Sequence, residues 1–415
     1  MFGDFTALVL AVVFVAINGL TMLAWAAQMG YKMKPTAFAF FVASVGNLIT
    51  GNVVPLSGQS SILTVSNFVK NTNERVAALL IAVVVMVVAG AMGWVTAIAE
   101  WAGNPVLWGM MAGVGLMVSQ ISVDMISQEK RTGAISFATA LVTFWLTLGD
   151  PNQLVYVIAV SVTVSTLDFL FLQKNKETGK LGRRVNYSNL AKSNGFTGDM
   201  DEDTEENRPW KKEFWAGFKM TKPKFGLLAL YYSLAFICIN IGTNIAFGTI
   251  TAGFGPRDAE GVLLNPLNID ALTVINSVAD IPTVLFGGMP IEAIISATAQ
   301  TAWPVLAGIL MMLLLGFLCL FGLINKLVKF VPVQSLAGFL FIIGFFSTLV
   351  PQLRNVIQGA TPPPNFATGE VLGAEAIVSG ITAMAVTAIT KNPFIGLICG
   401  VAIRYIGAAF FVFLG

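Results

Sequence analysis

The chain has 415 residues, of which 56% are hydrophobic and only 11% are charged, with a mean hydropathy of +0.78 and a formal net charge of +2. Apolar stretches of about 20 residues recur along it, which is typical of an integral membrane protein with many helical spans and excludes an ordinary soluble domain. There is no histidine, and Cys238, Cys319 and Cys399 lack the spacing of disulfide or zinc-binding pairs. The sequence therefore predicts no metal site, no cofactor and no histidine proton relay.

Seven spans are predicted in the first part of the chain, residues 1–172. The first apolar run, Phe5 to Gln28, has no basic segment before it and no small-residue cleavage site after it, so it is interpreted as a span and not as a signal peptide. The predicted spans are 5–28, 36–53, 54–69, 76–98, 105–126, 134–149 and 153–172.

Residues 173–224 form the one long polar segment, which contains the basic run "KNKETGKLGRR" and the acidic run "DMDEDTEE". This segment has almost no apolar residues from which a core could form, so it is predicted to be a flexible, solvated loop between two halves. Its end, residues 210–224, combines Trp and Lys in the manner of a membrane-interface segment. Seven further spans follow in residues 225–415, at 225–252, 267–283, 284–301, 303–325, 331–350, 371–389 and 393–413.

The distribution of basic residues predicts the orientation. Twelve of the 24 Lys and Arg residues lie between Lys174 and Lys224, and nine of the others fall on the same side if the crossings are right. Because cytoplasmic loops carry an excess of Lys and Arg, the central loop is predicted to be cytoplasmic and both termini external, in a bacterial plasma membrane.

The two halves of the chain resemble each other. Residues 16–25, "AINGLTMLAW", align without gaps on residues 238–247, "CINIGTNIAF", and two further segments match in the same order at offsets of about 227 and 230 residues. An odd number of spans per half gives the two halves opposite orientation. The sequence therefore predicts the 7+7 inverted repeat that is typical of secondary transporters.

Two predicted spans, the third and the tenth, are broken at corresponding places. One carries Pro55 and Gly58 in "GNVVPLSGQSSILTV", and the other carries Gly287, Gly288 and Pro290 in "FGGMPIEAII". Irregular backbone survives at membrane depth only where protein or water surrounds it. We expect each break to be a short extended segment followed by a half-helix that begins in mid-membrane and presents its N–H groups to a central site. The alternative is a pair of kinked packing helices.

Polar residues in three spans are candidate site residues. On a helix, Glu292 would share a face with Ser296 and Gln300. A buried carboxylate costs roughly 2.5 kcal/mol or more at mid-membrane unless it is paired or protonated, so Glu292 is the candidate proton-coupling residue, unless it reaches the membrane surface. The eighth span offers Asn240, Thr243 and Asn244, and the first span offers Asn18 and Thr21 in support. Such polar residues also serve simply to join helices, and that alternative stays open.

These motifs, together with "NPVLWGMMAGVGLMV" at 104–118, resemble the nucleobase–cation symporter family of uracil, xanthine and adenine/hypoxanthine permeases, which shares its fold with the sulfate permeases. The resemblance implies an all-α membrane protein of about fourteen spans with core and gate domains, an elevator-like mechanism and a homodimer. It also implies that the substrate lies between the two half-helices. The implied substrate-binding residues are Ser57, Gly58, Gln59, Ser60, Asn240, Thr243, Asn244, Gly287, Gly288, Glu292 and Ser296.

Three features depart from the nucleobase family. The eighth span has no acidic residue, Ser296 falls where the carboxylate of the tenth span is expected, and the predicted orientation is opposite to the usual one. The motifs "LSGQSSILTV" and "GGMPIEAIISATA" resemble those of sulfate permeases equally well. That family usually carries a C-terminal cytoplasmic domain, whereas this chain stops at Gly415 directly after a predicted span.

Two functions are therefore predicted, in order. The first is proton- or sodium-coupled uptake of a nucleobase, with Glu292 accepting N–H groups of the base and carrying the proton. The second is transport of an inorganic or small organic anion, for which Glu292 would have to be protonated. A membrane scaffold or receptor is disfavoured by the paired half-helices. An enzyme is disfavoured because no nucleophile–base pair is evident, and no nucleic-acid partner is expected.

Overall fold

The computed structural model describes residues 2–58, 60–66, 68–173, 197, 218–358 and 374–414. Helices dominate these residues. They are α1 (Phe2–Gln28), α2 (Met33–Thr50), α3 (Ser60–Ser66), α4 (Thr72–Ala91), α5 (Trp94–Ala102), α6 (Asn104–Gln128), α7 (Lys130–Leu146), α8 (Gln153–Leu167), α9 (Leu227–Gly253), α10 (Ile269–Leu285), α11 (Pro304–Leu320), α12 (Ile324–Leu327), α13 (Ala337–Phe341), α14 (Val350–Gln358), α15 (Ala374–Thr390) and α16 (Pro393–Leu414). π-helical segments at Asp168–Leu172 and Ile342–Leu349 continue α8 and join α13 to α14, and 3-10 turns cover Ala297–Gln300, Val328–Phe330 and Val333–Leu336.

Six helical segments of the described residues are long and apolar enough to cross a membrane. They are Gly3–Gln28, Thr72–Ala91, Asn104–Gln128, Gln153–Leu172, Leu227–Gly253 and Val333–Gln358. Shorter apolar helices occur at Pro304–Leu320, Ala376–Thr390 and Pro393–Ile406. The chain is therefore a helical membrane protein, as predicted, whereas the count of fourteen spans and the 7+7 repeat stay predictions.

The helices pack into two bundles. Helices α1, α2, α4, α9, α10 and α11 contact one another extensively and form the first bundle. Helices α6, α7, α8, α15 and α16 pack with residues 337–358 and form the second bundle. Between the bundles, α1 contacts α8 and α9 contacts α16. Outward faces of these helices carry exposed apolar side chains such as Leu48 and Trp145, as expected of lipid-facing surfaces.

Two short strands pair with each other inside the molecule. Strand β1 (Leu56–Ser57) pairs antiparallel with β2 (Glu292–Ala293), with Leu56 opposite Ala293 and Ser57 opposite Glu292. Just beyond the ladder, the Ile294 N–H donates to the Pro55 carbonyl at 3.3 Å. Because the strands satisfy each other's backbone groups, extended chain is tolerated at a depth where water is scarce. In the first half, the extended segment is followed by α3, so the predicted order of elements occurs there.

The prediction that a half-helix begins at Gly287, Gly288 and Pro290 is wrong. These glycines end α10. Gly287 adopts a left-handed conformation with φ of 78°, its N–H donates to the Val284 carbonyl at 2.9 Å, and the Gly288 N–H donates to the Thr283 carbonyl at 2.8 Å. This is the Schellman pattern of a helix C-terminus, where glycine supplies positive φ without strain.

The predicted helical face of Glu292 and Ser296 is also wrong, since Glu292 lies in β2. Ser296 precedes the 3-10 turn of Ala297–Gln300 and caps it, because its side chain accepts from the Thr298 N–H at 3.2 Å. Strand and cap geometry replace the 3.6-residue period that would have aligned the two side chains.

The end of the central segment lies against the first bundle. Lys32, in the turn between α1 and α2, donates through Nζ to the Lys219 carbonyl and to Thr221 Oγ1, both at 3.0 Å. The Thr221 N–H donates to the Leu285 carbonyl at 3.0 Å, and Thr197 forms backbone hydrogen bonds with the segment between α3 and α4. The predicted flexibility of this segment concerns 174–196 and 198–217, which lie outside the described residues.

The start of the central segment belongs to the second bundle. Arg131 at the start of α7 donates to Asp168 through Nε at 3.1 Å and through Nη2 at 2.6 Å. Gln173 Nε2 donates to the same carboxylate at 2.8 Å and to Thr132 Oγ1 at 2.9 Å. The chain therefore leaves the second bundle at Gln173 and returns on the first bundle.

Candidate functional site

A cavity of about 540 Å³ lies between the two bundles. The first bundle contributes α1 and the chain around the strands, and the second contributes α6 and the stretch that begins at Val333. The lining residues are Asn18, Gly19, Thr21, Met22, Trp25, Gln28, Ser57, Gly58, Met117, Val118, Ile121, Asp124, Met125, Gln128, Phe247, Ile294, Ile295, Val333, Gln334, Leu340 and Ile343. A concave, mostly apolar space with a few convergent polar groups is the usual form of a small-molecule site.

The polar and exposed lining residues of the cavity lie toward one end of the molecule. We call this end the basic end, because its turns carry Lys32, Lys130 and Lys326; the other end is the far end. Helices α1 and α6 both finish at the basic end, where Gln28 and the exposed residues Asp124 and Gln128 line the cavity. The cavity is therefore polar at its mouth and apolar along its walls.

Ser57 and Gly58 form part of the base of the cavity. The Ser57 side chain is 1% exposed, and its Oγ has no hydrogen-bond partner among the described residues. Gly19 of α1 lies directly opposite, since a Cβ on Gly19 would come within 2.6 Å of Ser57 Oγ. Buried hydroxyl groups normally have a partner, so this one is suited to a bound molecule.

The charge of the cavity is concentrated at its mouth. Asp124 is the one charged residue among the lining residues. It lies seven positions after Met117 on α6, which places it about 10 Å further along the helix, toward the basic end. The base of the cavity is therefore lined by neutral groups.

Asn18 and Thr21, predicted as supporting residues, are among the residues that line the cavity, whereas the predicted residues of the eighth span are not. Asn244 Nδ2 donates to Asn240 Oδ1 at 2.8 Å and to Thr273 Oγ1 at 3.1 Å, and Thr243 Oγ1 donates to the Asn240 carbonyl at 3.2 Å. These buried bonds connect α9 internally and to α10, which is the joining role left open for polar side chains.

Glu292 faces a different space. It is fully buried and lines a second cavity of about 10 Å³, together with Asp280 and Asn240. Asp280 Oδ1 accepts from the Ile291 N–H at 2.9 Å, so this aspartate also fixes the chain just before β2. Two buried carboxyl groups therefore line this second cavity, and neither is among the lining residues of the large one.

The remaining predicted residues divide as follows. Ser296 is buried and serves as a cap, while Gly287 and Gly288 end α10 near Lys32. Gln59 lies outside the described residues, and so does the side chain of Ser60. Among the described residues, no group of three His, Cys, Asp or Glu side chains is placed to hold a metal ion.

Aromatic and apolar lining residues were missed. Trp25 and Phe247 both line the cavity, Trp25 being 38% exposed near the mouth. The internal alignment had already placed these two residues opposite each other, but only its polar positions were taken as site candidates. A signal for Trp25 and Phe247 was therefore present in the repeat.

No protein-family model matches the sequence, and no curated protein matches it. Solved structures do resemble the fold. The chain is similar to SLC26A9 with a TM-score of 0.52 and 11% sequence identity, over 97% of this chain and 65% of that chain. It is also similar to the transmembrane domain of the cyanobacterial bicarbonate transporter BicA, with a TM-score of 0.49 and 12% identity, over 96% of this chain and 98% of that domain.

The chain has a membrane-transporter fold of the SLC26 type. The resemblance to nucleobase–cation symporters that the sequence suggested is therefore wrong, because SLC26A9, whose fold this chain resembles, belongs to a different family.

Proposed function

We propose that this chain is a secondary transporter of a small anion, which binds in the 540 Å³ cavity against Ser57 and Gly58. The observation that carries the proposal is the buried Ser57 hydroxyl without a partner among the described residues, at a base lined by neutral groups. A hydroxyl group can donate to an oxyanion. The similarity of the fold to SLC26A9 supports the same reading.

The position of Glu292 favours an anion over a base. A nucleobase was expected to use the Glu292 carboxylate as the acceptor of its N–H groups, but Glu292 is not among the residues that line the large cavity. Because Glu292 is the cross-strand partner of Ser57, an ionised Glu292 would repel the anion, so the proposal requires Glu292 to be neutralised by a proton or a cation when the anion binds. Asp124 lies at the exposed mouth, where water screens its charge.

We further propose that a cation, H⁺ or Na⁺, is coupled to transport through Glu292. Glu292 and Asp280 are both buried and line one cavity of about 10 Å³. Two ionised carboxylates so close together are unfavourable in a medium of low dielectric, so one of them tends to hold a proton or share a cation. Coupling would then reach the substrate through β2, which pairs directly with the Ser57 strand.

Alternating access follows from the two-bundle construction. We propose that the first bundle, which carries both strands, moves against the second and exposes the cavity to each end in turn. The chain is further proposed to work as a homodimer in a bacterial plasma membrane, with the central segment in the cytoplasm.

The experiment is a substrate screen with purified protein in proteoliposomes. Labelled bicarbonate, sulfate, formate, uracil and xanthine are each offered with and without a proton or sodium gradient. We expect saturable uptake of one or more anions, with the bases neither transported nor competing. Uptake of a base that anions fail to inhibit would contradict the anion proposal.

A further inference from the structure

A hydrogen bond joins the two bundles at the far end of the molecule. The backbone N–H of Leu154, in α8 of the second bundle, donates to the side-chain Oε1 of Gln300 at 2.8 Å. Gln300 ends the 3-10 turn that follows β2, so it belongs to the chain that carries the strand pair. At this end the 3-10 turn packs against α8, and α1 packs against α8 as well. The contact therefore joins the bundles at the end opposite to the cavity-lining residues Asp124 and Gln128.

Gln300 caps the start of α8, a role that is usually filled by a residue next to the helix in sequence. The first N–H groups of a helix lack partners within the helix, and an Asn at the N-cap normally accepts from the second or third of them. Here the N-cap of α8 is Asn152, yet its side chain makes no capping bond. Its Oδ1 is buried without a partner among the described residues, while Leu154, the second residue of α8, is bonded to Gln300.

We propose that the Leu154 N–H alternates between two side-chain acceptors, Gln300 and Asn152, and that its bond to Gln300 holds the far end closed. When the bundles are in contact, Gln300 caps α8 across the bundle boundary. When they separate, Asn152 takes over the same N–H within its own helix. The far end can therefore open without leaving the start of α8 unpaired, and the balance between the two acceptors sets how often it opens.

Substitutions that remove one or the other acceptor should have opposite effects on how often the far end opens. Gln300→Met has nearly the same length but no acceptor, so it removes the closed-state cap only and should favour opening. Asn152→Ala removes the open-state cap only and should favour closure, because Asn152 makes no capping bond in the closed form. Gln300→Glu keeps an acceptor beside a helix N-terminus and should not increase opening.

Opening is measured as the rate at which a cysteine at Ala299 reacts with a charged thiol reagent. Ala299 is fully buried beside Gln300, and the full-length chain is used in lipid nanodiscs with Cys238, Cys319 and Cys399 replaced by Ser. Gln300→Met should raise the rate about threefold to tenfold, the factor expected for one hydrogen bond. Asn152→Ala should lower it by a similar factor, and Gln300→Glu should leave it at or below the parent rate.

Gln153→Met is the matched control. Gln153 is adjacent in sequence, but its Nε2 donates to the Phe144 carbonyl at 2.8 Å, within the second bundle. It should leave the rate unchanged. The proposal is overturned if Gln300→Met has no effect, if Gln153→Met has the same effect, or if Asn152→Ala raises the rate. Should Gln300→Met fail to fold, the direction of the Asn152→Ala change decides alone. The measurement needs no substrate, so its outcome is independent of the anion proposal.

Discussion

At the scale of single residues, strand pairing brings Ser57 and Glu292, the two residues with proposed roles, next to each other. They are direct partners in the ladder, yet Ser57 lines the large cavity and Glu292 lines the small one. The two proposed roles, substrate binding and cation coupling, therefore fall on directly paired residues, which would let the charge state of Glu292 affect anion binding at Ser57. Each of the two assignments can be tested by one substitution.

Ser57→Ala should weaken anion binding without unfolding the protein. Loss of one hydrogen bond to a charged acceptor is expected to raise KM about tenfold or more, with little change in the amount of folded protein, because the hydroxyl has no partner among the described residues. The measurement is concentration-dependent anion uptake into proteoliposomes. Ser44→Ala is the control, since the buried Ser44 hydroxyl donates to the Phe40 carbonyl of its own helix at 2.7 Å. An unchanged KM for Ser57→Ala would remove Ser57 from the site.

Glu292→Gln should abolish accumulation but leave exchange. The amide keeps the shape of the side chain and cannot take up the coupled proton or balance a cation. We therefore expect uptake to stop at the equilibrium concentration, while exchange of labelled for unlabelled anion continues. Glu100→Gln, an exposed acid on α5, is the control and should accumulate anion as the parent does. Accumulation against a gradient by Glu292→Gln would contradict the coupling role.

At the scale of elements, the sequence was informative about helices and not about the strands. Apolar runs of about 20 residues identify membrane helices because every backbone group there bonds within its own segment. A two-residue strand has no periodicity to detect, and β1 needs a partner more than 230 positions away. The Gly287–Gly288 pair was assigned the wrong role. It marks the end of α10, and the extended strand β2 lies a few residues later.

Gly287→Ala should destabilise the protein more than the same substitution at a left-handed glycine with open space around it. Gly287 has φ of 78°, and an added Cβ would lie 2.5 Å from Thr221 Oγ1, in the segment held by Lys32. Gly51→Ala is the control, because Gly51 has φ of 68° with no atom within 4 Å of a Cβ. Left-handed strain alone costs about 1–2 kcal/mol. Thermal unfolding in detergent should show a larger loss for Gly287→Ala; equal losses would show that the contact with Thr221 is unimportant.

At the scale of the whole molecule, a transporter fold with a central cavity was predictable from the sequence, but the family was not. The internal repeat and the two broken spans indicated a secondary transporter, and the fold agrees with that class. The motifs around Pro55 and Pro290 occur in two families that share this fold. The pairing of Ser57 with Glu292 depends on strand register, which the sequence pattern does not specify.

The orientation predicted from Lys and Arg can be tested with two single cysteines in the background without Cys238, Cys319 and Cys399. Lys130→Cys lies at the basic end and Glu260→Cys lies in the connection between α9 and α10 at the far end, and both parent residues are exposed. In intact cells, an impermeant thiol reagent should label the cysteine at Glu260 and not the one at Lys130. The reverse pattern would mean that the basic end faces outward, contrary to the charge distribution.

The central segment is anchored to a different bundle at each end. Gln173 is bonded to the second bundle, whereas Thr197 and Thr221 are bonded to the first. The 24 peptide units from Gln173 to Thr197 can span at most about 80 Å, which sets an upper limit on the distance between these two anchors. Deletions within residues 174–196 would lower that limit without changing either bundle. Progressive shortening would therefore measure, in residues, how far the bundles must travel in one transport cycle.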